Sequence, residues 1–277
     1  MKHAQTAVVR RWSAWPSRYW WFGFAVASLL SAAVASAGAG GRRPPNVFDG
    51  TLAEREGAPE LSTADFKAAL LDPKSVVFDA RPYEEFAVSH VPGAQSVAGK
   101  PGTTPALYVA DVNDVIRRVP DRKTPLVLYC NGLYCGRSKR FAAELVQSGY
   151  LNVRRYQLGI PAWRALGGVT QVEKDALLAL LRRDGTAVLV DARERTLASP
   201  ALTGAKSVPA GETTAAKDDG RLPMTDHNTR IFVVGASGAQ ARQVAEAIVK
   251  DAFHNVSFFG GTAADLPELF AKRKSAP

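Results

Sequence analysis

Two thiols lie close together in the chain, at Cys130 and Cys135, and they are the only cysteines among 277 residues. Such a pair can close a disulfide, bind a metal ion or supply a nucleophile. With 46% apolar and 22% charged residues, the composition is that of a globular protein whose core needs no disulfide. The four histidines are scattered along the sequence, so we expect no closed zinc site, no other metal site and no cofactor.

The position of Cys130 favours a nucleophile. The thiol follows the apolar run LVLY, which predicts a strand, and precedes an amphipathic helix predicted over residues 138–148, which begins near Arg137 or Ser138. A loop that enters a helix turns backbone N–H groups toward one centre, and the positive end of the helix stabilises an anion there. A thiolate is such an anion. The alternative is a buried structural cysteine at the end of a strand.

Short apolar runs and helical stretches alternate in the surrounding sequence. Runs rich in β-formers at residues 76–78, 126–129 and 153–157 are separated by amphipathic segments. This alternation predicts an α/β fold in which a parallel sheet has helices on both faces. Ligands bind such sheets at the carboxyl ends of the strands, which is where Cys130 is expected.

The chain also repeats itself. Three blocks at residues 76–97, 125–145 and 152–159 have counterparts, in the same order, at 187–208, 230–249 and 255–261. A repeat of this size predicts a duplicated domain, and we place the copies at 61–170 and 171–277. The second copy has Gly235 where the first has Cys130, so only the first copy has a thiol in its loop.

The first sixty residues differ in character from the rest. Residues 1–37 combine basic residues with an uncharged run that ends in Ala-Ser-Ala, which predicts a signal peptide cleaved after Ala37, and residues 38–60 read as a linker. We therefore expect a periplasmic or secreted protein. The alternative is an uncleaved leader that anchors the protein in the membrane facing the periplasm, and we expect no other membrane contact.

Charge gives little indication of a macromolecular partner. Four of the 35 Lys and Arg precede residue 38, which leaves 31 basic against 26 acidic residues in the remainder. The basic residues are dispersed rather than gathered into a stripe with aromatic residues, so we expect no nucleic-acid binding.

Several motifs in residues 61–170 resemble the rhodanese family of thiosulfate sulfurtransferases. They are Asp79-Ala-Arg81, Ser89-His90-Val-Pro-Gly-Ala94, and a strand that leads into Cys130 and then a helix. The resemblance extends more loosely over residues 171–277. It implies two tandem rhodanese-like domains, each a parallel sheet with helices on both faces, of which only the first has the catalytic cysteine.

The resemblance also implies roles for individual residues. Cys130 would form a persulfide, transferring sulfur from thiosulfate or a related small anionic donor to a thiol or cyanide acceptor. Asp79, Arg81 and Ser138 would support the site, although an ion pair that closes the strand end is an equal interpretation for Asp79 and Arg81. His90 would shape a turn. The backbone cradle for the anion would consist of Asn131, Gly132, Leu133, Tyr134, Cys135, Gly136 and Arg137.

Two departures from the family pattern keep other functions open. Arg137 comes later after Cys130 than the arginine of common rhodanese or phosphatase loops, and the loop contains a second cysteine. One alternative is a thiol-disulfide oxidoreductase that uses Cys130 and Cys135, and another is a non-enzymatic binding module. For Cys135 itself, we slightly favour a small apolar filler at the helix start over a resolving thiol, because strain opposes short closed loops.

Overall fold

The computed structural model describes residues 58–97, 110–194 and 200–270. The predicted signal peptide at 1–37 and most of the predicted linker at 38–60 lie outside these residues. Among the helices that are described, none has the length and apolar character needed to cross a bilayer.

The first half of the described chain builds one parallel sheet. Its strands are β1 (Val76–Asp79), β2 (Gln95–Ser96), β3 (Leu126–Tyr129) and β4 (Val153–Tyr156), in the spatial order β2-β1-β3-β4. All three pairings are parallel. The helices are α1 (Thr63–Leu71), α2 (Tyr83–Val88), α3 (Val112–Arg118), α4 (Gly136–Gln147) and α5 (Gly159–Ala165).

Helices cover both faces of this sheet, and its central strand β3 is apolar at every position. Phe78, Leu126 and Leu128 point to one face and pack with residues of α3 and α4, including Val115 and Phe141. The alternate strand residues, such as Val77 and Val127, point to the other face and pack with α1 and α5. The continuous apolar pattern of β3 is thus explained by burial on both sides.

The second half builds a second parallel sheet. Its strands are β5 (Thr170–Val172), β6 (Val188–Asp191), β7 (Lys206–Ser207), β8 (Ile231–Val234) and β9 (Val256–Phe259), in the order β5-β9-β8-β6-β7. The helices are α6 (Lys174–Arg183), α7 (Thr213–Asp218) and α8 (Gly238–Ile248), with 3₁₀ turns at Val249–Asp251, Ala263–Asp265 and Pro267–Leu269.

The two sheets share one topology. In the first, Glu60 forms a parallel bridge to Arg155 on β4, in the place that β5 occupies beside β9 in the second. The predicted α/β architecture with parallel sheets is therefore confirmed, and the repeated strand order supports a duplication. The domain bounds at 61–170 and 171–277 remain a prediction.

Candidate active site

The two cysteines lie in the loop between β3 and α4, and the structure joins them. Cys130 is the first residue after β3 and is 1% exposed, whereas Cys135 is the N-cap of α4 and is half-buried. Their sulfur atoms form a disulfide, with Cα atoms 6.3 Å apart, inside the range that disulfides usually span. The prediction that Cys135 is only an apolar filler is therefore wrong. The helix also begins at Gly136, slightly earlier than predicted.

A tight turn brings the two cysteines together. Gly132 adopts a φ of +98°, which a residue with a side chain rarely adopts, and the Cys135 N–H donates to the Gly132 carbonyl at 2.9 Å. This hydrogen bond folds the loop back on itself within a few residues. The strain that we expected to oppose a short closed loop is relieved by the glycine.

The floor of the loop is the start of α5. The Ile160 N–H donates to the Cys130 carbonyl at 3.1 Å. At Gly159, where φ is +63°, a Cβ atom would lie 2.2 Å from the Cys130 oxygen and 2.5 Å from the Gly132 nitrogen. Only glycine allows this approach, so Gly159 belongs to the site although the sequence patterns did not identify it. Its signal was a glycine two residues after the predicted third strand.

A buried polar chain supports the loop from inside. Gln157 donates from Nε2 to the Leu133 carbonyl at 2.8 Å, and its Oε1 accepts from Arg155 at 2.8 Å. The guanidinium of Arg155 is fully buried and pairs with Glu60 at 2.7 Å. A buried charge needs such partners to offset its desolvation. These three side chains were also missed, because their separation in sequence gives no motif.

A carboxylate holds the loop from the outer side. Glu85 on α2 accepts a hydrogen bond from the Asn131 side-chain amide, and its other oxygen lies 3.7 Å from the Arg137 guanidinium. The two ends of the predicted cradle are thereby tied to one residue outside it. The role of Glu85 was not predicted from the sequence.

The middle of the loop presents donors rather than acceptors. The backbone N–H groups of Asn131, Gly132, Leu133 and Tyr134 have no acceptor among the residues that the structure describes. The Tyr134 side chain is fully exposed at the tip, and Ser138 is buried in the first turn of α4. The predicted cradle residues are thus contiguous around the disulfide, and they include four backbone donors without a described acceptor.

The predicted supporting pair forms a buried salt bridge. The Arg81 side chain donates to both oxygens of Asp79, with its NH2 group 2.6 Å from Oδ2, and also to the Ser89 carbonyl. Burial lowers the pKa of Arg81, but the hydrogen bonds and charge of Asp79 outweigh burial, so the pKa is raised. Asp191 and Arg193 form the same pair at 2.7 Å in the second sheet. Because the second copy has no thiol, this repetition indicates a structural role.

His90 also serves the fold. Its ring is buried, stacks on Phe86 and donates from Nδ1 to the Phe86 carbonyl at 2.9 Å. The backbone of His90 pairs with that of Gln171 in both directions. Burial lowers the pKa of His90 to about 4, so the ring is neutral at physiological pH.

The second copy keeps the loop geometry without the chemistry. The Gly235 carbonyl accepts from the Ala263 N–H at 2.8 Å, as the Cys130 carbonyl accepts from Ile160. The Ala236 N–H is occupied by the Gln240 side chain. This loop therefore lacks both the thiol and one of the donors that an anion would need.

A family model for the rhodanese-like domain matches residues 62–166. These residues form a rhodanese-like domain. The match includes β1 to β4, the salt bridge of Asp79 with Arg81 and the whole disulfide loop. Residues 167–277, which contain the second sheet, lie outside the match.

Solved structures with a rhodanese fold are similar to the chain at low identity. Thiosulfate sulfurtransferase from Pseudomonas aeruginosa is 22% identical, with a TM-score of 0.33, and the match covers 75% of this chain and 42% of that protein. SseA from Escherichia coli, a 3-mercaptopyruvate sulfotransferase, is 19% identical, with a TM-score of 0.34, and the match covers 74% of this chain and 98% of SseA. No curated protein sequence matches the chain significantly. Likenesses this distant do not transfer a substrate.

Proposed function

We propose that the protein is a sulfurtransferase that carries sulfane sulfur as a persulfide on Cys130, and that the Cys130–Cys135 disulfide is its oxidised resting form. One observation carries the proposal. In a rhodanese-like domain, Cys130 directly follows the central strand β3 and precedes four loop N–H groups that have no acceptor among the described residues. Cys130 is the group to which a sulfur atom would be attached, and the loop is where its charge would be stabilised.

The first step opens the disulfide. An external thiolate attacks the Cys135 sulfur, because Cys135 is the more exposed of the two cysteines, and forms a mixed disulfide with it. The bonding electrons leave with the Cys130 sulfur as a thiolate. A second external thiol then attacks the mixed disulfide, which releases an external disulfide and the reduced Cys135. The loop N–H groups would stabilise the Cys130 thiolate as it leaves.

The second step loads the sulfur. The Cys130 thiolate attacks the outer sulfur of thiosulfate or a related anionic donor, the sulfur–sulfur bond of the donor breaks, and sulfite leaves with the electron pair. The Cys130 persulfide is itself an anion. The N–H groups of the loop stabilise negative charge on both the donor and the persulfide, in the manner of an oxyanion hole.

The third step removes the sulfur by one of two routes. An acceptor thiolate or cyanide attacks the outer persulfide sulfur, takes it, and leaves the Cys130 thiolate ready for another cycle. Alternatively, the Cys135 thiolate attacks the inner sulfur, hydrosulfide leaves, and the disulfide reforms. The Cα separation of 6.3 Å supports the second route, because the backbone already holds the two residues at bonding distance.

Separate cysteine variants test this assignment. Cys130→Ser is expected to abolish thiosulfate:cyanide sulfur transfer under reducing conditions. Cys135→Ala is expected to retain transfer and to lose its dependence on added reductant, because no disulfide then blocks Cys130. Transfer by Cys130→Ser near the wild-type rate would overturn the assignment.

The disulfide itself favours a second candidate, a dithiol-disulfide oxidoreductase that uses the same two residues. In that case electrons pass to or from a partner thiol and no sulfur atom is carried. The candidates differ in one measurable way. An oxidoreductase would oxidise a dithiol substrate stoichiometrically from the disulfide form and release no sulfite from thiosulfate, whereas the sulfurtransferase would release sulfite once reduced.

Export is proposed with the function. The basic and then apolar order of residues 1–37 supports a signal peptide, and an oxidising compartment outside the cytoplasm is where a disulfide persists without turnover. The protein would therefore need an electron donor in that compartment to become active. N-terminal sequencing of exported protein tests the leader: a start at Gly38 is expected, and an intact Met1 in the membrane fraction would support the anchor instead.

A further inference from the structure

A cleft of about 540 Å³ separates the first sheet's helices from the second sheet's helix α8. One wall is formed by the ends of α1 and α5 and the residues just after α5, and the other by α8 and the 3₁₀ turn that follows it. No residue of the disulfide loop lines it. Cavities of this size, between the units of a repeated fold, commonly bind small molecules.

The first wall is apolar and rigid. Trp163 forms part of it, and its indole N–H donates to the Val169 carbonyl at 2.8 Å while its ring packs edge-on against Phe66. At Gly168 a Cβ atom would lie 2.3 Å from the indole ring, so the glycine allows the backbone to pack directly on the ring. The surface is therefore fixed before any ligand binds.

Exposed leucines extend this wall to the solvent. Leu71 is 83% exposed and Leu166 is 40% exposed, and both line the cleft beside Leu70. Large apolar side chains of this kind are costly to leave in water, and contiguous ones mark binding surfaces. The apolar body of a ligand would cover them.

The rim of the cleft is basic. Arg242 and Glu246, one turn apart on α8, pair with each other at 2.7 Å and neutralise one another. Lys67 and Lys250 line the same cleft, and neither has a carboxylate within ion-pair distance among the residues that the structure describes. The unneutralised charge is therefore positive, and it lies above an apolar surface.

We propose that this cleft binds a small amphipathic carboxylate, with the apolar body against Trp163, Leu70, Leu71 and Leu166 and the carboxylate near Lys67 and Lys250. Two lysines suit a single negative charge better than a polyanion, and the apolar wall excludes a purely inorganic anion as the preferred ligand. The site is distinct from the disulfide loop, so it stands whether or not sulfur transfer is the activity.

Octanoate is a suitable probe, with octanamide and octylamine as controls that keep the same body and change only the head group. Isothermal titration calorimetry of the full-length protein is expected to show saturable octanoate binding at millimolar concentrations or below. Octanamide is expected to bind about fivefold more weakly, because an exposed lysine contact is worth up to about 1 kcal/mol. Octylamine, a cation at neutral pH, is expected to bind more weakly still.

Two leucine variants locate the site. Leu71→Glu places a negative charge in the mouth of the cleft and is expected to weaken octanoate binding at least about fivefold. Leu151→Glu makes the same change at a leucine that is 70% exposed but does not line the cleft, and it is expected to leave binding unchanged. Both residues are largely exposed, so both variants should fold, which circular dichroism checks.

The proposal is overturned if octanoate shows no saturable binding, if octanamide binds as tightly as octanoate, or if the two leucine variants bind octanoate equally. Sulfite release from thiosulfate is measured in parallel on the same samples. If the reduced protein releases no sulfite but still binds octanoate, the proposed sulfur transfer is contradicted and the proposed ligand of the cleft is not.

Discussion

Gly159 lies directly against the backbone of Cys130, so closely that a Cβ atom at position 159 would stand 2.2 Å from the Cys130 carbonyl oxygen. The start of α5 is in this way a template for the disulfide loop. The position of the Cys130 sulfur therefore depends on Gly159, a residue that has no side chain with which to take part in the reaction.

Replacing Gly159 should therefore damage the loop beyond the cost of backbone strain. Gly149 provides the control, since its φ is also positive, at +91°, but an added Cβ would meet nothing within 4 Å. Gly149→Ala is expected to lower the free energy of unfolding by about 1–2 kcal/mol through strain alone. Gly159→Ala should cost clearly more and should reduce sulfur transfer per folded molecule. Denaturant unfolding and turnover measure both, and equal effects in the two variants would contradict the template role.

The polar chain behind the loop leads to a second prediction. Gln157→Leu removes the hydrogen bond to the Leu133 carbonyl and one partner of the buried Arg155. Leaving buried groups unsatisfied is expected to cost about 1–3 kcal/mol of unfolding free energy. Amide hydrogen exchange should rise at Cys135, whose N–H donates to the Gly132 carbonyl, while exchange in β8 stays as in the wild type. Unchanged exchange in the loop would show that Gln157 does not hold it.

The salt bridge of Asp79 with Arg81 should matter for stability and not for chemistry. Arg81→Met leaves the fully buried Asp79 without its partner, which is expected to cost about 3–5 kcal/mol. Arg193→Met is the matched change in the second sheet, where the arginine side chain is more exposed, so its cost should be smaller. Sulfur transfer per folded molecule should persist in both variants. A stable but inactive Arg81→Met protein would instead assign Arg81 to the reaction.

The sequence predicted the parts of this structure that follow from local pattern. Apolar runs located β1 and β3, because strands buried on both faces are largely apolar. A run rich in β-formers located β4, although its two middle residues are arginines. The repeated motifs predicted two sheets of one topology, and the order of strand, Cys130 and helix predicted the loop. These features need only neighbouring residues to be recognised.

The contacts that close the site could not be predicted in this way. Glu85 and Gln157 contact the loop from distant points of the chain, and Glu60 acts behind Gln157 through Arg155, so no spacing relates them to Cys130. The filler interpretation of Cys135 was favoured over the disulfide for a different reason. Strain was expected to oppose a short closed loop, but Gly132 adopts a positive φ of +98° that a residue with a side chain rarely adopts.

Burial of His90 makes the stability dependent on pH. Its pKa is lowered to about 4 in the folded protein, below the ordinary value of 6.5, so between these values the unfolded chain binds a proton that the folded chain does not. The His90 contribution is complete above pH 6.5 and is lost as the pH falls toward 4, by up to about 3 kcal/mol.

The variant His90→Gln should therefore lose less stability between pH 7 and pH 4 than the wild type does. His254→Gln is the control, because His254 is exposed. Denaturant unfolding at several pH values measures the difference. If the wild type and His90→Gln lose equal amounts of unfolding free energy over this range, His90 does not carry the pH dependence.

The mass of the intact protein after treatment with thiosulfate shows whether Cys130 carries a sulfur atom. The protein is first reduced, freed of reductant and then mixed with thiosulfate, and a matched sample is left oxidised. We expect reduced Cys135→Ala protein to gain one sulfur atom on the peptide that contains Cys130. The oxidised wild type should gain none. Reduced wild type should gain the sulfur transiently and then return to the disulfide mass as hydrosulfide is released. Sulfur transfer through Cys130 would be contradicted if reduced Cys135→Ala protein gained no sulfur, or if Cys130→Ser protein gained as much sulfur as Cys135→Ala protein.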